Sequence, residues 1–146
     1  VLPDGTGLPV GKGSALDGEV IYRSKYASCH GASGEGVRPF GQALVGGIGT
    51  LASPNPVKTI GSYWPYATSV WDYIHRAMPY DRPGTLPPDE TYAVTSFLLY
   101  RNGIIQHDEV LTQESLAKVR MPNRDGFVPD PHPDVRKPAR TSQSRQ

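Results

Sequence analysis

Lys25-Tyr26-Ala27-Ser28-Cys29-His30-Gly31 holds the only cysteine of the chain, and a histidine follows it directly. Upstream, Ser14-Ala15-Leu16-Asp17 has the form of a helix start, with Ser14 as the cap and Asp17 facing the positive end. Leu16, Val20 and Ile21 recur at helical spacing as far as Lys25 and Tyr26, which predicts a short amphipathic helix. Gly18 lies inside it at a cost of about 1 kcal/mol relative to alanine, a cost accepted where another backbone comes close. Downstream, the stretch from Gly31 to Pro65 is rich in glycine and proline without a period. A loop of that length inside a compact domain is functional or packs on something large.

The Cys-His pair allows three chemical readings. A small buried hydrophobe beside a surface imidazole is the plainest. A thiolate-imidazole dyad is opposed by adjacency, because consecutive side chains on a helix diverge. The third is a haem-attachment motif, Cys-x-x-Cys-His, in which both cysteines add across haem vinyl groups and the histidine ligates iron. Here Tyr26 occupies the place of the first cysteine, leaving one thioether, through Cys29, with crowding expected around the tyrosine ring and the iron ligands untouched.

The rest of the chain favours the third reading. A second helix is predicted from Thr68, as cap, to Arg76, with Val70, Trp71 and Ile74 on one side, and it breaks at Met78-Pro79. A thioether sulfur is a soft neutral ligand suited to the iron position opposite an imidazole, a pairing that raises reduction potential. Met121 also precedes a proline but lies beyond the helices, where a tail contact fits better. A third helix, Pro88 to Asn102, has proline at its first position, Asp89 and Glu90 in its first turn, Gly103 after its end, and an apolar face of Ala93, Val94, Phe97 and Leu98. Thr112 is predicted to cap a brief helix from Gln113 to Val119 carrying a Glu114 to Lys118 pair. His75, His107 and His132 read as solvated, and of these only His75, three residues before Met78, lies near enough to be an alternative ligand.

Composition sets the outer bounds. The 146 residues, 37% apolar, suit one compact domain with a tail. Fifteen lysines and arginines against 14 acidic residues, net +1, make no electrostatic case for nucleic acid. No apolar run reaches the roughly eighteen residues of a membrane span, and Val1-Leu2-Pro3-Asp4-Gly5 lacks signal-peptide character, so the chain reads as a mature one. Sixteen glycines and fifteen prolines favour short helices joined by irregular loops, a small fold that a large buried cofactor can staple where disulfides are absent. The expected organisation is an N-terminal arm, residues 1–13, a helical domain, residues 14–103, and an extended tail, residues 104–146, polar and with a disordered end.

In combination, the order helix, Cys29-His30, loop, helix, Ala77-Met78-Pro79, loop, Leu86-Pro87-Pro88-Asp89-Glu90 and final helix resembles a class I monohaem cytochrome c, an all-α fold. The pattern of Gly18, Tyr22 and His30, the segment Lys58 to Thr68, Tyr92-Ala93-Val94-Thr95 and the late run Lys118 to Phe127 is similar to the cytochrome subunits of sulfane dehydrogenase and of related periplasmic molybdenum sulfite dehydrogenases. The resemblance implies one haem c on Cys29, iron held by His30 and Met78, and close crossing of the first and third helices at Gly18 near Phe97. It also implies a haem pocket lined, or propionates held, by Tyr63, Trp64, Tyr66 and Trp71, with Arg38 as a further propionate partner. Its function would be periplasmic electron transfer, not catalysis: electrons arrive from a molybdenum-containing sulfur-compound dehydrogenase subunit, around which the tail wraps, and leave for an acceptor cytochrome. The competing classes are a haem enzyme or sensor with a displaceable Met78, and a cofactor-free interaction module.

Overall fold

The structure, a computed structural model, describes residues 1–132, so the expected disorder at the end of the tail lies outside the described residues. Four helices carry the fold: α1 (Ala15–Lys25), α2 (Ala27–His30), α3 (Ala67–Ala77) and α4 (Pro88–Arg101). Two short strands, β1 (Lys12–Ser14) and β2 (Val110–Thr112), pair antiparallel with Gly13 opposite Leu111. The all-α architecture anticipated above, short helices joined by long loops, is the one observed, with very little sheet.

α4 is the axis. Pro88 occupies its first turn without needing an N–H partner, Asp89 and Glu90 face its positive end, and Gly103, at φ 72°, turns the chain away. Every residue from Thr91 to Leu99 is buried, because α1, α3 and β1 all pack on this helix. Asn102, next in line, ties a distant loop to its end. The Asn102 amide donates to the carbonyls of Leu44 (3.2 Å) and Leu98 (2.8 Å), and its oxygen accepts from the Gly46 N–H (3.0 Å). Asn102→Ala strands two backbone groups, the Leu44 carbonyl and the Gly46 N–H, at one nearly buried position and is expected to lower unfolding free energy by about 2–3 kcal/mol. Chemical denaturation of the variant measures this, and a loss below about 0.5 kcal/mol would mean that water replaces the amide.

α1 is capped as expected: Ser14 Oγ accepts from the Asp17 N–H at 3.2 Å and donates to the Asp17 carboxylate at 2.7 Å. Its inner face is not the expected one. Ala15, Gly18 and Tyr22 are buried, whereas Leu16 and Val20 are 58% and 71% exposed. The reason is the crossing with α4. A Cβ on Gly18 would stand 1.9 Å from the Ala93 carbonyl oxygen and 2.9 Å from Phe97 Cβ, so the helices meet backbone to backbone and only the smallest side chains fit between them. Tyr22 then fills the space below, its ring 5.0 Å from Phe97 and its hydroxyl donating to the Gly31 carbonyl at 2.9 Å.

α3 begins at Ala67 after Tyr66 with no side-chain cap, and Thr68, expected to cap it, is buried with its hydroxyl unpartnered. Beyond α4 the predicted helix from Gln113 shrinks to a single 3-10 turn, Leu116–Lys118. Thr112 Oγ1 does accept from the N–H groups of Glu114 and Ser115, but the Glu114 carboxylate takes the Thr112 hydroxyl at 2.7 Å instead of reaching Lys118. Leu111, Leu116 and Met121 are buried in the same core as the helices, so this part of the chain braces the body. Among the described residues no helix is long and apolar enough to cross a membrane.

Candidate functional site

α2 is a single turn that continues directly from α1: Tyr26 N–H donates to Tyr22 O, and His30 N–H donates back to Tyr26 O at 2.9 Å. Gly31, at φ 85°, then reverses the chain. The returning loop presses on this turn at Gly41, where a Cβ would lie 2.2 Å from the Cys29 carbonyl oxygen and 2.9 Å from His30 Nδ1. That close passage sets the histidine. His30 Nδ1 is 2.8 Å from the Gln42 carbonyl oxygen, an acceptor only, so Nδ1 carries the proton and Nε2 presents a free lone pair. An imidazole oriented through its other nitrogen is the usual arrangement of a metal-ligating histidine.

Met78 follows α3, its N–H donating to the Ile74 carbonyl at 3.1 Å, and its side chain packs partly buried against the core. A cleft of about 630 Å³ opens between these segments, lined by Tyr26, Cys29, His30, Met78, Tyr80 and Arg82 among others. Its size falls within the range of sites for small organic cofactors. The donor set also fits a haem: a thiol for vinyl addition, a correctly tautomerised imidazole and a thioether open on one space.

The other sequence candidates lie elsewhere than on this lining. Trp71 is buried between His75 (ring centroids 4.7 Å apart) and Tyr92 (5.3 Å), its indole N–H without a partner. His75 is therefore a stacking partner and not a solvated side chain. Trp64 meets Tyr73 edge-on at 5.6 Å. The rings of Tyr63 and Tyr66 serve the tail: Phe127 packs on Tyr63, Arg124 lies over Tyr66, and the Asn123 amide donates to the Tyr63 carbonyl at 2.8 Å. Arg38 is exposed in the loop after Gly31. Met121, buried in the core, is not at the cleft.

Sequence reasoning missed Tyr80, Arg82 and Lys25 on the cleft wall. Adjacency to Met78 and to the end of α1 was the available signal. It also missed Gln42, for which no signal exists, because its backbone carbonyl acts and any residue type supplies one. Lys25 is held by Glu90 at 2.8 Å.

The family model described as cytochrome c matches residues 15–102. No curated protein sequence matches significantly. A solved chain from the crystal structure of the sulfane dehydrogenase SoxCD of Paracoccus pantotrophus is 45% identical, with a TM-score of 0.87. The match covers 100% of this chain and 74% of that one.

Proposed function

The chain belongs to the cytochrome c family, an electron-transfer role goes with that membership, and from this premise we propose that it serves a periplasmic sulfur-compound dehydrogenase. In this reading the chain takes electrons from a molybdenum-containing catalytic subunit and passes them to another cytochrome. The support for such a partner is the 45% identity, over the whole chain, to a chain of a sulfane dehydrogenase. Residues 14–103 form the haem domain, residues 1–13 an arm, and residues 104–146 a tail whose outer part engages the catalytic subunit.

The observation that carries the haem assignment is the one cleft on which Cys29, His30 and Met78 all open, with His30 held in the metal-binding tautomer by Gln42. Cys29 supplies a single thioether, His30 Nε2 and the Met78 sulfur are the iron ligands, and the loop from Gly31 to Gln42 orients the imidazole through the Gln42 carbonyl. When bound, the haem supplies a one-electron ferrous-ferric couple. With His30 Nε2 and the Met78 sulfur both holding the iron, the chain would leave no open coordination site, which is the requirement of a carrier and not of an oxygen-activating enzyme. The buried indole N–H of Trp71 and hydroxyl of Thr68, both without protein partners, are donors suited to a buried acceptor. We assign Trp71 to the outer wall of the haem region, with Trp64 and Arg38 nearer solvent, and Tyr63 and Tyr66 to anchoring the tail beside it.

Intact mass under denaturing conditions tests the attachment. The expected result is one haem retained by the unmodified chain and complete loss of that retention in Cys29→Ser. A chain that sheds its haem on unfolding would overturn the thioether, and one that never takes up haem would overturn the site.

A further inference from the structure

Position 26 is where a two-cysteine motif would carry its other sulfur, and the structure does not discard the residue that stands there. Tyr26 is 3% exposed and lines the cleft shared by Cys29, His30 and Met78. Its ring lies nearly parallel to that of Tyr22, centroids 5.8 Å apart, and Tyr22 in turn packs on Phe97 of α4. An aromatic column braced on the longest helix thus stands about one helical turn before the thiol. The Tyr26 hydroxyl is buried without a hydrogen-bond partner, and burial, with the Glu90 carboxylate adding to it, pushes its ionisation well above the ordinary range. What this side chain offers the cleft is a rigid, neutral ring.

We propose that Tyr26 is a positioning residue whose ring selects one of the two orientations in which a haem can be attached through Cys29. The proposal rests on the haem assignment above. A haem is nearly symmetric about an in-plane axis that exchanges its two vinyl-bearing pyrrole rings, a methyl taking the place of the vinyl on each. Two cysteines in fixed order remove that ambiguity, whereas a lone thiol can add across either vinyl. In that addition the sulfur bonds to one vinyl carbon, the thiol hydrogen goes to the other and the double bond becomes single. Nothing leaves and no oxidant is consumed. Both products have the same mass and the same iron ligands, so the bonding chemistry alone does not choose between them. A wall held in place on one side of the thiol does, because the two orientations turn different substituents toward it. Close-packed aromatic neighbours resist displacement, which makes Tyr26 such a wall.

Proton NMR of the oxidised, haem-loaded chain counts the orientations directly, since each gives its own set of paramagnetically shifted haem methyl resonances. The unmodified chain and Tyr26→Phe are expected to show a single set, with any second set below about one part in ten. Tyr26→Ala is expected to show two sets of comparable intensity. Should the alanine variant fold poorly, Tyr26→Leu, apolar but without a flat ring, is expected to show a second set above that level. A doubled spectrum from the unmodified chain, or a single set from the alanine or leucine variant, overturns the proposal. A doubled spectrum from Tyr26→Phe assigns the selection to the hydroxyl and overturns it equally. Intact mass on each sample separates these outcomes from failure of the haem assignment, which shows as an unmodified chain without covalent haem.

Discussion

His30→Ala is expected to convert the haem-loaded protein from a six-coordinate, low-spin species that ignores carbon monoxide into one that binds it stoichiometrically. In the proposed site the change would leave the Cys29 thioether untouched, so the haem would stay on the chain while its iron lost the imidazole that the Gln42 carbonyl holds in place. Met78→Ala, which would remove the sulfur ligand, is expected to have the same consequence for carbon monoxide and also to lower the reduction potential, because a soft thioether favours the ferrous state. Ligation couples to folding, since the unfolded chain has no assembled ligand pair. Each variant is therefore expected to lose on the order of 3–5 kcal/mol of unfolding free energy, at the upper end of single-residue effects. Carbon monoxide difference spectra and redox titration give the readouts. A His30→Ala protein with an unchanged visible spectrum would place the iron ligand elsewhere.

The second large effect is expected from a residue that touches no cofactor. Gly18→Ala should stabilise an isolated helix by about 1 kcal/mol. In this protein it is expected to destabilise by about 3 kcal/mol and to lower the thermal midpoint by roughly 10 °C. The added methyl would overlap the Ala93 carbonyl, which belongs to backbone and cannot swing aside, so α1 must move off α4. Val20→Ala, two residues along the same helix but on its outer face, serves as the control and is expected to stay within about 0.5 kcal/mol. Equal behaviour of the two variants in thermal denaturation would refute the backbone-to-backbone crossing.

The contrast between those two positions shows how much of the fold was legible. Gly18 announced itself, because glycine inside a helix has few uses besides close approach. The direction in which α1 faces did not. Leu16, Val20 and Ile21 form the more apolar stripe, yet the buried face is Ala15, Gly18 and Tyr22, since close approach to α4 leaves room beneath the crossing only for small side chains and one aromatic ring. Hydrophobic periodicity reports which face is apolar. It does not weigh that face against the geometry of the partner. The brief helix expected after Thr112 failed for a related reason. Its first turn is drawn into Thr112-centred hydrogen bonds, and β2, immediately before it, is tied to β1.

The candidate site divides in the same way. Cys29, His30 and Met78 stood out because their side-chain chemistry is rare and specific, and the fold brings them to one cleft. The aromatic residues from Tyr63 to Trp71 gave no such guidance, since a ring packs equally well on a cofactor, a tail or another ring. Trp71 turned inward to Tyr92 and His75, while Tyr63 and Tyr66 received the tail.

What the sequence by itself determined is local and chemical: the extents of α1 and α4, written in a serine cap, prolines and glycines within a few residues of their ends, the stop of α3 at Met78-Pro79, and the identity of the sulfur and nitrogen donors. Tertiary structure alone decided which face of α1 turns inward, how arm and tail join through β1 and β2, and which nitrogen of His30 is left free. Each of these depends on contact between residues far apart in the chain, and the decisive partner is often a backbone group, such as the Ala93 or Gln42 carbonyl. Every residue type carries that group, so only the folded chain reveals where it is used.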